Sequence, residues 1–208
     1  MKKQAILGLL VSIMSLTAFA ERVRMVDVPM DEDIVAVDGK QQVVTIKGPS
    51  DLNTQAILLK SVVDENNEVI RPAAIQIIGS DKNSGQTYSL ALNSDLSLGV
   101  LDDVLYGQES TLSVNKTGSL VITLQNTAIG RDRYSSEIVV AYRNGSFVVA
   151  GFKHKSYDTL DPEIGESCDF NLLTGQGIKD GKRVKLAKKT ILFENLKDSE
   201  KLYSCSGL

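Results

Sequence analysis

EIVVAYRNGSFVVAG, residues 137–151, consists of two apolar, β-branched-rich runs, Glu137 to Ala141 and Ser146 to Gly151, joined by Arg143-Asn144-Gly145. Side chains of this kind suit a pleated, buried surface. Asn-Gly supplies the two positive φ angles of a type I′ turn, so the stretch is predicted to be a β-hairpin. The segment around it, Ser119 to Thr174, is where the rest of the chain is expected to attach.

Moving toward the N-terminus, Ser119 to Gln125 and Thr111 to Val114 are predicted strands on either side of Asn115-Lys116-Thr117-Gly118. Thr87 to Leu92 and Ala73 to Ile78 have the same character. Gln55 to Val63 is a short apolar run without a decisive period, open between a buried strand and a helix, with strand the preferred reading. Arg22 to Val28 alternates polar and apolar side chains, and Ile34 to Val37 and Gln42 to Ile46 flank Asp38-Gly39, a second hairpin signal. Leu98, Leu101, Val104 and Leu105 recur at three- and four-residue steps, which predicts one short helix over Leu98 to Tyr106. Toward the C-terminus, Arg183 to Leu186 and Thr190 to Phe193 are short predicted strands among Lys182, Arg183, Lys185, Lys188 and Lys189. Alternation of charged and apolar residues there indicates half-buried strands with a wet face rather than a dedicated anion site. The expected fold is mainly β: an antiparallel β-sandwich or open barrel with one short helix, in a single domain spanning residues 21–208.

Residues 1–20 have the makeup of a secretory signal peptide. Lys2 and Lys3 precede an apolar run, Ala5 to Leu16, and Thr-Ala-Phe-Ala ends in the small residues a signal peptidase accepts, so cleavage is expected after Ala20. The run is shorter than the roughly 18 residues needed to span a bilayer. These features predict a periplasmic protein with no membrane span once the signal is removed. Cys168 and Cys205 are the only cysteines, and a pair in an oxidising compartment is most simply one structural disulfide. The formal net charge is −3. Acidic side chains outnumber basic ones about two to one between residues 21 and 110, and basic ones are in excess from 111 onward. No dense basic patch is interleaved with stacking aromatics, so nucleic acid is not an expected partner.

Catalytic signatures are missing. His154 is the only histidine, which rules out a multi-histidine metal site and the His-Glu-x-x-His helix. It sits at a predicted strand end between Lys153 and Lys155, where a surface role is expected and the lysines disfavour its protonation. The Gly-x-Ser-x-Gly elbow is absent. Gly175-Gln176-Gly177-Ile178-Lys179-Asp180-Gly181 fails as a phosphate loop, because Asp180 stands where glycine is needed and Arg183 follows Lys182, and a pair of tight turns explains its glycines better. Neither Asp51-Leu52-Asn53 nor Asp64 to Glu68 has the spacing of an EF-hand loop. No cofactor or metal is expected. Asp158, Asp161, Glu163 and Glu166 are acidic loop residues whose separation decides whether a glycosidase-like pair exists.

Two loops at the ends of the central strands carry the candidate binding residues. Gly130-Arg131-Asp132-Arg133-Tyr134 gathers two guanidinium groups and a phenol, and Ser156-Tyr157-Asp158-Thr159-Leu160-Asp161-Pro162 adds a second aromatic with acidic neighbours. Arginine and tyrosine combine large contact area with directed hydrogen bonds. Arg131, Arg133, Tyr134, Tyr157 and Asp158 are therefore the expected contact face, with the alternative that the arginines bridge to local aspartates and the tyrosines cap the core.

Ile129-Gly130-Arg131-Asp132-Arg133-Tyr134, Ala141 to Gly151, Tyr157-Asp158 and Asp169-Phe170-Asn171-Leu172-Leu173-Thr174-Gly175 together resemble the C-terminal half of a group of uncharacterised small exported proteins of Gram-negative bacteria. That group shares a Gly-x-x-Arg-aromatic turn, a Tyr-Arg-x-Gly-x-Phe hairpin and an Asn-x-Leu-Thr-Gly ending, sometimes after a degenerate integrin-like N-terminal part. The resemblance covers about a third of the chain. The Asp-rich glycine loop of the N-terminal part is missing here, with Asp51-Leu52-Asn53-Thr54 at most a remnant. What the resemblance implies is export and a β fold. The functional expectation is a non-catalytic binding protein with a protein partner in the cell envelope, such as an inhibitor or immunity protein against an envelope-targeting enzyme. The alternatives are an envelope-polymer hydrolase using loop carboxylates and a structural subunit of an envelope assembly.

Overall fold

The structure, a computed structural model, describes residues 42–60, 62, 63, 65, 66, 69–71, 73–96, 107–197 and 204–206. The signal peptide, the strands expected over Arg22 to Val28 and Ile34 to Val37, and the helix expected over Leu98 to Tyr106 lie outside those residues.

The described chain is mainly β, as expected, and its two main sheets are antiparallel. β1 (Gln42–Ile46) and β2 (Leu52–Leu59) are followed by a small hairpin of β3 (Val62–Val63) and β4 (Val69–Arg71), then by β5 (Ala74–Asp81) and β6 (Thr87–Asn93). The first sheet has the order β1-β2-β5-β6. The second is a meander of β7 (Gln108–Val114), β8 (Leu120–Asn126), β9 (Asp132–Arg143), β10 (Ser146–Asp158), β11 (Ser167–Asn171), β12 (Gln176–Lys179) and β13 (Lys182–Lys185), each pairing with the next. β14 (Ile191–Leu192) adds to β10 beside β11. The sheets form a sandwich-like or open arrangement, with no closed barrel among the described residues. A 3-10 turn, Phe193–Asn195, is the sole helical element among the described residues.

Strand alternation builds the core. In β8, Leu120, Ile122 and Leu124 are fully buried while Val121 and Thr123 are half-exposed, the pattern of a strand with one face covered. Leu58, Ile75 and Ile77 of the first sheet share one buried cluster with Ile122, Ile138 and Phe152 of the second. Each such side chain contributes about 1.5–3 kcal/mol relative to exposure. The acidic first part and the basic second part of the chain therefore contribute to a common core.

Two amides stitch the sheets together. The Gln42 side chain donates to the Ser110 carbonyl (3.0 Å) and accepts from the Leu112 N–H (2.7 Å), copying the hydrogen bonds of a ladder between β1 and β7. On the other side Asn93, in β6, donates to the carbonyls of Phe193 (2.6 Å) and Leu196 (2.7 Å) and accepts from the N–H of Asp95 and Leu96.

Asn144 and Gly145 have φ values of 50° and 85°, both positive as a two-residue hairpin turn requires. β9 and β10 run well beyond the apolar stretches that predict them. One register shift falls between Val149 and Gly151, where β10 changes neighbour from β14 to β11. Asp180 and Gly181 form a second positive-φ pair between β12 and β13, and Gly175 closes a turn on Asn171, so these two glycines serve turns as expected; Gly177 does not, since it lies within β12, where a Cβ would collide with the Phe170 ring and the Asp169 carbonyl.

Candidate recognition loop and the hollow beside it

The pairing of β9 with β10 brings the two candidate loops together. Tyr157 lies opposite Arg133, Ser156 opposite Tyr134 and Asp158 opposite Asp132. Alternation sends Arg133, Ser135, Lys155 and Tyr157 to the outer face of the sheet and places Tyr134, Ser136 and His154 on the face toward the core.

Arg131 and Asp158 belong to the scaffold. The Arg131 guanidinium lies 2.9 Å from the Asp158 carboxylate, which also accepts from the N–H groups of Leu160 (2.7 Å) and Asp161 (3.2 Å). The Leu160 N–H above all, helped by Arg131 and the Asp161 N–H and opposed by partial burial, holds the Asp158 carboxyl below its usual range. Asp158 is thus a charged organiser of the loop and is poorly suited to donate a proton. Arg133 donates to the carbonyls of Ile129 (3.0 Å) and Gly130 (2.6 Å). The bridging of an arginine to a local aspartate therefore holds for Arg131, while Arg133 fixes the preceding turn.

The loop that Asp158 organises, residues 159–166, is tied along its length. Thr159 N–H donates to Arg131 O, Ile164 N–H to Asp161 O, Asp158 N–H to Ile164 O and Ser156 N–H to Glu166 O, all at 2.9–3.0 Å. Gly165 packs so closely on the Ser156 carbonyl that a Cβ would collide with it. On this fixed backbone Leu160 and Ile164 are 74% and 59% exposed, the most solvent-accessible of the large apolar side chains described, with half-exposed Tyr157 beside them.

Adjacent to the loop is an open hollow of about 230 Å³ lined by Gln125, Asn126, Thr127, Arg133, Tyr134, Ser135, Lys155 and Tyr157. Three of the five expected contact residues, Arg133, Tyr134 and Tyr157, line it. Lys155, Ser135 and Gln125, together with Leu160 and Ile164, were not singled out from sequence. The signal available was the two-residue alternation of β9 and β10, which places Ser135 and Lys155 on the face of Arg133 and Tyr157.

His154 departs from expectation. It is 1% exposed in the middle of β10, not at the surface, with Nδ1 2.9 Å from Ser136 Oγ and its ring stacked near Tyr134 and Phe152. Burial lowers its pKa, partly offset by the Glu166 carboxylate. The flanking lysines are not the cause, because alternation puts them on the opposite face. Cys168, directly across from His154 on β11, is bonded to Cys205 as expected, and both are buried. Glu166 accepts from the Cys205 N–H (2.7 Å) and lies 3.8 Å from Lys179, so this carboxylate also has a structural post. Among the described residues no group of three or more His, Cys, Asp or Glu side chains is placed to hold a metal ion. At β13, Val184 packs against the core while Lys182, Arg183 and Lys185 are exposed, the wet-faced strand the sequence predicts.

Fold and site together define a two-sheet antiparallel β protein that presents one braced, apolar-tipped loop beside a cationic hollow. Compared with protein-family models, curated proteins and solved structures, the chain has no match.

Proposed function

We propose that this chain is an exported, non-catalytic binding protein of the cell envelope, an inhibitor or immunity protein that recognises an envelope-targeting enzyme through residues 157–164. The observation that carries this reading is the loop itself: exposed Leu160 and Ile164 on a backbone held by hydrogen bonds along its length, by the Thr159 N–H to the Arg131 carbonyl and by the Arg131–Asp158 pair. A loop already fixed in its bound shape loses little entropy on docking, and Leu160 and Ile164 with Tyr157 beside them offer the apolar area that an interface core buries. Periplasmic residence follows from the leader-like residues 1–20 and is supported by the disulfide. Among the described residues no helix is long and apolar enough to cross a membrane.

The hydrolase reading loses two of its four loop carboxylates, since Asp158 and Glu166 are engaged in holding the backbone. The test is a panel of purified peptidoglycan-lytic enzymes assayed with and without the protein. Inhibition of one of them, reduced at least tenfold in Leu160→Asp/Ile164→Asp with the melting temperature nearly unchanged, is the expected result. Clearing of peptidoglycan by the purified protein alone, abolished in Glu163→Ala, would instead establish a catalyst.

A further inference from the structure

The hollow beside the loop has a chemistry of its own. Arg133 and Tyr157 are directly paired across β9 and β10, as are Ser135 and Lys155, and Gln125 of β8 lies opposite Ser135. Side chains paired this way on one face stand about 4.5–5.5 Å apart at Cβ, and diagonal neighbours about 7–8 Å. Two cations therefore lie diagonally across one small depression, with a phenol and a hydroxyl completing the square. The Arg133 guanidinium is fixed by Nη1 on two carbonyls, which leaves its other N–H groups for a ligand at little entropic cost. The side chains of Lys155, Ser135 and Tyr157 make no hydrogen bond or ion pair among the described residues. The Gln125 amide nitrogen donates to Glu109 (2.7 Å), which leaves the carbonyl oxygen of this lining residue as an acceptor.

The geometry points to a binding site for an acidic sugar of the uronic acid class. Its carboxylate bridges Arg133 and Lys155, its ring lies against Tyr157, and its hydroxyls meet Ser135 and the Gln125 carbonyl. A bare oxyanion needs only the two cations. The volume of about 230 Å³, the aromatic wall and the neutral acceptors are what a polyhydroxylated ring adds. Charge-assisted contacts from Arg and Lys orient the carboxylate, and the polar groups that are not charged confer selectivity over a simple anion. Glu109 is held by Gln125 on one side, and Glu163, Glu166 and Asp180 line the neighbouring hollow that Lys155 also borders, so these carboxylates disfavour ligands with a second negative charge.

This inference goes beyond the proposed inhibition and does not depend on it. The ¹⁵N-labelled protein is titrated in parallel with D-glucuronate, D-glucose and inorganic phosphate at low salt. The expected result is a saturable shift of the Ser135, Lys155 and Tyr157 amides with glucuronate. Glucose and phosphate should bind at least tenfold more weakly, and Lys155→Gln should lose at least tenfold in affinity with an otherwise unchanged spectrum. Tyr157→Ala should lose a comparable factor. Phosphate saturating as readily as glucuronate would reduce the site to a plain anion site, and glucose doing so would remove the role of the cations. Either overturns the proposal, as does unaltered binding in Lys155→Gln or no saturable shift at these amides. A protein that inhibits no lytic enzyme can still bind glucuronate, and one that ignores glucuronate can still inhibit, so the two ideas fail separately.

Discussion

His154 holds an ionisable ring where a positive charge is poorly supported. Ser136 and Tyr134 face it from β9, Phe152 from its own strand and Cys168 from β11, with the Glu166 carboxylate exerting the one favourable field. Its Nε2 is buried without a hydrogen-bond partner among the described residues. Because desolvation lowers the folded-state pKa, the unfolded chain takes up a proton near pH 6.5 at which the folded ring resists it. The contribution is fully present above that value and is lost as pH falls through it toward the folded pKa. Urea midpoints should therefore decline between pH 7.5 and pH 5.5, with this one site supplying at most about 1.4 kcal/mol per pH unit. In His154→Leu that share of the decline should vanish. A slope identical to that of the parent protein would show that the ring does not titrate this way.

The loop and hairpin show which elements a sequence declares and which it conceals. Asn144-Gly145 and the apolar runs around it are local signals, so the turn and the middle of β9 and β10 are legible from residues 137–151. The strand ends at Asp132 and Asp158 are not, because there the outward side chains are charged or hydroxylated and the inward ones are Tyr134, Ser136 and His154. His154 was misplaced for the same reason: two adjacent lysines suggest a surface, whereas their common face is opposite to that of the ring. Pairing of β9 with β10 brings the two loops of the expected contact face together, but Arg131 and Asp158 are one another's partners, a pairing that depends on strand register. Asp158→Ala should release the N–H groups of Leu160 and Asp161 and speed their hydrogen exchange at least tenfold, while Asp158→Asn, which keeps an acceptor oxygen, should act more mildly. The depressed carboxyl pKa adds a sign. The bracing it gives is present above the ordinary aspartate range and is lost as pH falls through the folded value, so the protection factors of the loop amides, taken against the intrinsic exchange rate at each pH, should fall on acidification in the parent protein and stay flat in Asp158→Ala.

At the scale of the whole molecule, the two sheets share no continuous ladder and are tied by Gln42 and the Lys47 N–H, which donates to the Gly118 carbonyl, on one side and by Asn93 on the other, while the disulfide holds the C-terminal segment to β11. Gln42 and Asn93 do not announce their partners in sequence, since each links residues far apart along the chain, whereas the only two cysteines declare theirs. Asn93 is the most demanding, because its replacement removes the donor to the Phe193 and Leu196 carbonyls, of which Phe193 keeps the Leu196 N–H, and the acceptor of the Asp95 and Leu96 N–H groups, of which only Leu96 is buried. Orphaned groups of that kind cost about 1–3 kcal/mol each where water cannot replace the lost partner. Cys168–Cys205 acts differently, chiefly on the unfolded chain. Closing a loop of 37 residues removes enough conformational freedom from the unfolded state to be worth about 4 kcal/mol. Cys168→Ala/Cys205→Ala should therefore lower the unfolding free energy by about that amount. Because Glu166 would still accept from the backbone of residue 205 and Lys179 would still lie beside it, the folded sheet should keep its spectrum. Asn93→Ala should instead perturb the amides of Asp95, Leu96 and Phe193 in the folded state. If the cysteine variant perturbed the native spectrum across β6 as well, the bond would be holding the sheets together and not merely restraining the unfolded chain.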